Sequence, residues 1–483
     1  MPKEKKSGML AQIKKSFKSK FMTTKTTLSR GKKPPRIDSH ASPLQTDIPR
    51  ILKTHAPKNP SLAPIIDSTF HAYPITVIGT GYVGLVMGTA FAEFGHTVHC
   101  VDINQEKINL LNTGIVPIYE PELEEVLKKN KSCKRLIFST NIEMALKQSK
   151  VIFLAVGTPM LADGTADVSG ILASVKTIAD VLRDQTYRVI CIKSTVPIGT
   201  AAAVKKMLSQ LCPQGVFDIV SNPEFLREGC ALKDFMMPDR IVLGSSSEKA
   251  LTILKEIYQP LLQRNIPLFI TDNITAETIK YASNAFLAVK LAYINEIADF
   301  CEKTGANIFD VAHGMGLDSR IGNKFLTPGP GFGGSCFPKD STALLKKAAE
   351  VGTPLRIVQA SLDANKARKK GIVPKLKNLV AGSLSGKTIA VLGLAFKANT
   401  DDIRESAALD VIYDLLQEKA YIKAYDPLAI ENMQKIIPDI YYAHSAEDAL
   451  HNADAALVLT EWQEFKTLNY QIPILDTRNI VKK

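Results

Sequence analysis

One cysteine, Cys336, ends a run in which glycine recurs, Gly329-Pro330-Gly331-Phe332-Gly333-Gly334-Ser335, and Lys339 and Asp340 follow it three and four residues on. So glycine-rich a loop serves neither as a helix nor as a central strand. Its ordering costs entropy, which suggests close backbone approach to a ligand. Taken alone, an unpaired cysteine is more often a small buried hydrophobe. Here the glycines and charges favour a nucleophile, because a nearby ammonium such as Lys339 favours thiolate over thiol.

A second chemical signal lies at Gly79-Thr80-Gly81-Tyr82-Val83-Gly84, directly after an apolar strand-like run and opening a helix that should reach about Gly95. The first glycine permits a tight turn, the second lets the backbone approach a pyrophosphate, and the third allows close packing of helix on strand. The helix N-terminus then faces the phosphate charge. Asp102 closes the next strand, where a carboxylate would accept hydrogen bonds from ribose hydroxyls and repel a 2′-phosphate. NAD is therefore expected rather than NADP, although Lys107, five residues on, weakens that preference. A purely structural glycine turn is the alternative. A nicotinamide and a nucleophilic thiol together can oxidise an aldehyde: the thiol adds, hydride leaves the thiohemiacetal, and the thioester is hydrolysed to an acid.

Further polar groups fall at predicted strand ends, the ligand-facing edge of an open parallel sheet. They are Gly157-Thr158-Pro159, Lys193-Ser194-Thr195 and Ser221-Asn222-Pro223-Glu224-Phe225-Leu226-Arg227-Glu228-Gly229. Lys280 and Asn284 lie four apart on one face of a long predicted helix. A solvated helix face is the competing reading of that pair.

Apolar runs at 75–78, 98–101, 151–156, 189–192 and 217–220 alternate with helical stretches, the pattern of a parallel sheet with crossover helices. Over 275–304, Ile279, Ala282, Phe286, Val289, Tyr293, Ile297 and Phe300 recur at helical spacing, and Gly305 is a plausible stop. After Ser385-Gly386 the alternation restarts, with strands at 388–392, 422–425, 455–459 and near Ile474, and a helix over 406–416. The expected class is α/β, with two Rossmann-like doubly wound domains joined by a long central helix. The expected division is a basic extension (1–70), an NAD-binding domain (71–272), a central helical region carrying the cysteine loop (273–380) and a C-terminal Rossmann-like domain (381–483).

A chain of 483 residues exceeds what one core usually serves. Of its formal charge of +12, the excess sits in residues 1–60, with 15 Lys/Arg against three Asp/Glu, leaving 45 of each sign elsewhere. The basic character thus belongs to a tail, and no nucleic-acid partner is implied. Within that tail Met9, Leu10, Ile13, Phe17 and Phe21 recur among lysines as a basic amphipathic helix able to touch an anionic membrane or a protein; a solvated tail is the alternative. No run of 18 apolar residues is present, and the seven cysteines form no C-x-x-C pair, which argues against a disulfide framework or metal site. The reducing cytoplasm is the expected compartment.

These motifs together resemble the UDP-glucose 6-dehydrogenase family, within the UDP-glucose/GDP-mannose dehydrogenase group, from about residue 73 to 476. The matches are Gly79 to Leu85, Lys193-Ser194-Thr195-Val196-Pro197, Asn222 to Gly229, Pro238-Asp239-Arg240-Ile241-Val242 and Gly333 to Asp340. The resemblance implies two successive NAD-dependent oxidations taking C6 of UDP-glucose from alcohol to carboxylate. It makes Cys336 the nucleophile, gives Asp340 the task of positioning or deprotonating the attacking water, and puts Glu224 at the catalytic centre as a base in thioester hydrolysis, leaving open which of the two carboxylates takes the proton. Lys280 and Asn284 would hold the C6 oxygen, with Thr195 joining through a water. Gly79, Gly81, Tyr82, Val83, Gly84, Asp102, Lys107, Thr158, Thr195, Glu228, Lys339 and Arg404 would hold the cofactor. Glu224, Phe225, Leu226, Lys280, Asn284, Phe325, Leu326, Thr327, Pro328, Gly329, Gly333 and Lys397 would enclose the sugar nucleotide. Arg320 would reach it across a homodimer whose core is the long helix. Two rivals stand beside this reading: the same chemistry on GDP-mannose or a UDP-N-acetylhexosamine, and a catalytically silent nucleotide-sugar-binding protein recruited by its basic tail.

Overall fold

The structure, a computed structural model, describes residues 71–481. The basic helix expected over 9–21 lies outside them.

The first sheet contains β1 (Pro74–Ile78), β2 (Thr97–Val101), β3 (Leu136–Ser139), β4 (Val151–Leu154), β5 (Arg188–Ile192), β6 (Phe217–Ser221), β7 (Ile241–Gly244) and β8 (Leu268–Thr271). Their order is β3-β2-β1-β4-β5-β6-β7-β8. All neighbours run parallel except β6 and β7. The strand order reverses between β1 and β4, which opens a crevice at their carboxyl ends. Strands such as β4 and β5 are buried along their whole length, because helices cover both faces and leave no polar side.

The second sheet is smaller and wholly parallel: β9 (Thr388–Leu392), β10 (Tyr421–Tyr425), β11 (Tyr441–Tyr442), β12 (Ala455–Val458) and β13 (Ile474–Asp476), in the order β11-β10-β9-β12-β13. It too has an apolar cluster on each face. The fold is therefore α/β, with two Rossmann-like sheets and a long helix between them in the chain.

That helix, Asn273–Thr304, begins where the Asp272 carboxylate accepts the Thr275 N–H at 2.8 Å and ends at Gly305 in the left-handed region. Its buried side differs from the apolar stripe expected from the sequence. Phe286, Tyr293 and Phe300 are exposed, whereas Ala276, Lys280, Tyr281, Asn284, Ala288, Ala292 and Asn295 face inward. The inward face packs against the helices Phe337–Glu350 and Arg356–Lys370, and small residues there let the backbones approach closely. Polar side chains on the same face serve the site.

Candidate active site

The glycine-rich turn after β1 has the geometry a dinucleotide needs. Gly79 has φ 96°, and a side chain there would meet the Ala155 carbonyl. A Cβ at Gly84 would meet the Gly79 carbonyl, so helix and strand pack too closely for alanine. At Gly81 a Cβ would find open space, and Gly81 caps the helix Tyr82–Glu93 without a side-chain hydrogen bond. The helix N-terminus is thus free of any capping side chain. Asp102, one residue past β2, accepts the Thr80 N–H at 2.9 Å and hydroxyl at 2.8 Å on one oxygen, and the Asn104 N–H at 3.0 Å on the other. Burial would raise this carboxyl, but the Asn104 and Thr80 donors and Lys107, 3.3 Å away, outweigh it and hold it low. A charged carboxylate and an open turn fit the adenosine end of NAD.

The second sheet repeats the arrangement in closed form. Gly393 follows β9 with φ 98°, and Asp426 follows β10. Asp426 accepts the N–H groups of Leu394 at 2.8 Å, Ala395 at 3.0 Å, Leu428 at 2.9 Å and Ala429 at 2.9 Å, and the Trp462 indole N–H at 3.0 Å. Its oxygens are saturated and buried, so this turn does not offer a second ribose site.

The cysteine loop is clamped against the C-terminal region. Gly334 N–H donates to the Arg404 carbonyl at 2.8 Å, a Cβ at Gly333 would meet the Glu405 carbonyl, and one at Gly334 would lie 2.8 Å from the Phe396 ring. Cys336 sits at the start of the helix Phe337–Glu350. As a residue it is half-buried. Burial pushes its thiol up, and the Glu224 and Asp340 carboxylates add to that push against the Lys280 charge and a Ser335 hydrogen bond. Lys339 bonds instead to Asp340, at 2.5 Å, so the ammonium acting on the thiol is that of Lys280 rather than the neighbour in sequence.

Beside the thiol, two residues of the long helix meet two carboxylates. Lys280 donates to Glu224 at 2.8 Å, and Asn284 to Asp340 at 2.7 Å. The other Glu224 oxygen accepts the Leu226 N–H at 2.6 Å. Burial would raise Glu224, yet the Lys280 charge and these hydrogen bonds hold it low. Lys280 is held high, because Glu224, Cys336 and Asp340 outweigh its burial. Thr195, Ser221, Lys280 and Tyr281 line a cavity of about 10 Å³, room for a single water. Thr158 donates to the Thr195 carbonyl at 2.8 Å, tying the ends of β4 and β5.

Glu228 lies at the join between the two sheets' loops. It accepts from Arg404 at 3.3 Å and from Ser335 at 3.4 Å, while its second oxygen is buried without a partner. Burial, then the Asp402 carboxylate, push it up to about 8 against Arg404. Lys397, 5.6 Å from the Phe396 ring centre, exerts its charge on Glu228 as well. Phe325 has φ 63° and packs edge-on against Phe337. Leu326, Pro328 and Gly329 are buried, Thr327 is exposed, and Gly329 N–H bonds Asn295 at 2.8 Å. Arg320 is not brought to this cluster: its side chain is 87 % exposed and pairs with its own neighbour Asp318 at 2.6 Å.

Several buried carboxylates were not singled out from the sequence. Glu120 bonds the Tyr82 hydroxyl and the Gly229 N–H, Glu277 bonds the N–H groups of Gly199 and Ala201, and Asp426 holds the second turn. The partners of Glu120 and Glu277 lie far away in the chain, and only the position of Asp426 after a strand could have marked one of the three.

Family models place the molecule. Residues 73–262 match the NAD binding domain of the UDP-glucose/GDP-mannose dehydrogenase family, 274–367 its central domain and 390–483 its UDP binding domain. The chain is 46% identical over 420 residues to the UDP-glucose 6-dehydrogenase of Rhizobium meliloti (strain 1021), covering 85% of this chain and 96% of that one. It is 48% identical over 417 residues to UDP-glucose 6-dehydrogenase TuaD of Bacillus subtilis (strain 168), covering 84% and 89%. Among solved structures, a UDP-glucose dehydrogenase from the hyperthermophilic archaeon Pyrobaculum islandicum superposes with a TM-score of 0.83 at 35% identity, over 86% of this chain and 96% of that one. With an open glycine turn, a clamped cysteine loop and all three family domains in order, the chain belongs to the UDP-glucose/GDP-mannose dehydrogenase family.

Proposed function

We propose that the protein oxidises the C6 hydroxymethyl of UDP-glucose to a carboxylate, using two NAD and Cys336 as covalent nucleophile. The observation that carries this reading is the meeting of Lys280, Asn284, Glu224 and Asp340 around one thiol. NAD, held by Gly79 to Gly84, Asp102, Lys107, Thr158, Thr195, Glu228, Lys339 and Arg404, supplies the hydride acceptor. The remaining chemistry belongs to side chains of the chain itself.

In the first step the C6 carbon would pass hydride to the cofactor and its hydroxyl proton would pass to a water beside Thr195 and on to solvent, and the resulting aldehyde stays bound. Lys280 and Asn284 stabilise the C6 oxygen as charge develops on it, the work of an oxyanion site. The thiol of Cys336 then adds to the aldehyde carbon; a second hydride loss leaves a thioester, and water cleaves it to the acid and the thiol. Lys280, once bonded to the substrate oxygen, gives up its bond to Glu224. The basicity of Glu224 then rises, which suits it to take the proton of the attacking water. Asp340, already fixed by Asn284 and Lys339, orients that water, and a water beside Thr195 extends the network.

The same reading gives 71–272 to the cofactor, 381–483 with Lys397 to the uridine nucleotide, and 273–380 to the cysteine loop and a homodimer. The exposed Phe286, Tyr293 and Phe300, seven residues apart on the long helix, are the surface that a second copy would cover, bringing Arg320 to the neighbouring nucleotide. No helix among the described residues is long and apolar enough to cross a membrane, which is compatible with a cytoplasmic enzyme.

Incubation of the purified protein with NAD and, in turn, UDP-glucose, GDP-mannose and UDP-N-acetylmannosamine tests the substrate. Two NADH for each UDP-glucuronate formed is the expected result. Turnover of GDP-mannose without turnover of UDP-glucose would overturn it, and binding of UDP-glucose without NADH formation would favour the silent binding protein.

A further inference from the structure

Glu120 touches none of the groups assigned to catalysis and, of those assigned to the cofactor, bonds Tyr82, yet it sits where three parts of the site converge. It is buried in the segment between the helices Gln105–Thr113 and Leu123–Ser132. The Tyr82 hydroxyl, from the first helical residue after the dinucleotide turn, donates to its carboxylate. On the other side the same carboxylate accepts the Gly229 N–H at 2.8 Å and the Leu232 N–H at 3.3 Å. Gly229 N–H also reaches the Tyr82 oxygen at 2.6 Å, closing a three-membered network. Gly229 is fixed from a third direction, since it has φ 75° and a Cβ there would strike the Asn399 carbonyl of the C-terminal region.

The segment held this way directly follows Glu224, Phe225, Leu226 and Glu228. Any displacement of Gly229 therefore carries through a few peptide bonds to groups assigned to sugar and to nicotinamide. Glu120 would itself contact neither ligand. Burial raises this carboxyl on balance, against the Leu232, Gly229 and Ala231 N–H groups and the Lys397 charge, which favour the carboxylate.

We infer that Glu120 is a positioning residue that couples the two ligand sites, transmitting the placement of Tyr82 at the cofactor turn to the loop around the sugar nucleotide. The inference rests on the proposed assignment of the Phe225 to Glu228 segment to substrate and cofactor. Coupling of this kind is a free energy shared by both ligands, so each must change the affinity of the other by the same factor.

UDP-glucose binding, measured by calorimetry on the full chain with and without saturating NADH, tests it without turnover. The unaltered protein should bind UDP-glucose roughly fivefold or more tightly with NADH present, within the range usual for linked sites. Glu120→Ala should bring that ratio to within about twofold, and Glu120→Gln, which retains an acceptor oxygen for Gly229, should largely restore it. If Glu120→Ala fails to fold, Tyr82→Phe, which removes the phenol bond and leaves the Gly229 and Leu232 bonds, should give the same loss of coupling. A fully retained ratio in either folded variant overturns the inference. Loss of UDP-glucose binding by the unaltered protein would instead overturn the substrate assignment itself.

Discussion

Lys280 and Glu224 form an ion pair at 2.8 Å with side chains only 4 % and 6 % exposed, and the pair lies against the Cys336 thiol. A buried pair of this kind is poor evidence for net stability, because desolvation offsets much of the attraction. Breaking it from one side leaves a buried charge uncompensated. Lys280→Met should cost about 3–5 kcal/mol in denaturant unfolding, with activity down by about a hundredfold or more. Glu224→Gln added to Lys280→Met should recover most of the stability and none of the activity. If the single and double variants are equally stable, the pair does not behave as described.

The same pair gives an acid dependence whose sign is fixed. Glu224 is held below its ordinary value when folded, so its contribution is present above about pH 4.5 and is lost as pH falls through its lowered folded value. Between pH 7 and pH 3, the fall in Tm should be smaller in Glu224→Gln than in the unaltered protein. Equal falls would show that Glu224 titrates as an ordinary exposed carboxyl.

Glu228 behaves in the opposite sense. Its folded value is raised to about 8, so it favours the fold below about pH 4.5, and that contribution is lost as pH climbs through 8. Glu228→Gln should therefore be the more stable protein at pH 9 and should lose less Tm between pH 6 and pH 9. A steeper loss in the variant would contradict the burial of this carboxyl beside Asp402.

Two glycines of one turn should fail differently. Gly81→Ala places a methyl in open space, so folding should be unaffected while the KM for NAD rises by about tenfold, as the methyl intrudes where pyrophosphate approaches. Gly84→Ala meets the Gly79 carbonyl and should lower Tm as well. Thermal melts beside NAD titrations separate the two; a normal Tm for Gly84→Ala would show that the helix can move off the strand.

Most strands could be read in the sequence as apolar runs, some ended by glycine or aspartate as at Ile78-Gly79 and Val101-Asp102, whereas β3, β7, β8 and the two-residue β11 were not singled out. The long helix was legible in extent but not in orientation. Large apolar residues such as Phe286 and Phe300 suggest a core, yet alanines opposite them give the closer packing and take the inside. Within the site, Lys280 and Asn284 were visible as an i, i+4 pair, since one helix carries both. The pairing of Lys339 with Asp340 rather than with the thiol was not, because adjacency in sequence says nothing about which way a lysine turns at a helix start. Glu120 escaped for a related reason: its bonds to Tyr82 and Gly229 span 38 and 109 residues, and no local pattern records them.

The covalent route through Cys336 is tested most directly by Cys336→Ser, incubated with UDP-glucose and NAD and followed by mass analysis of protein and products. The account predicts that UDP-glucuronate formation collapses and that an aldehyde-level species, the product of one hydride transfer, stays bound to the variant. Undiminished formation of UDP-glucuronate would contradict it.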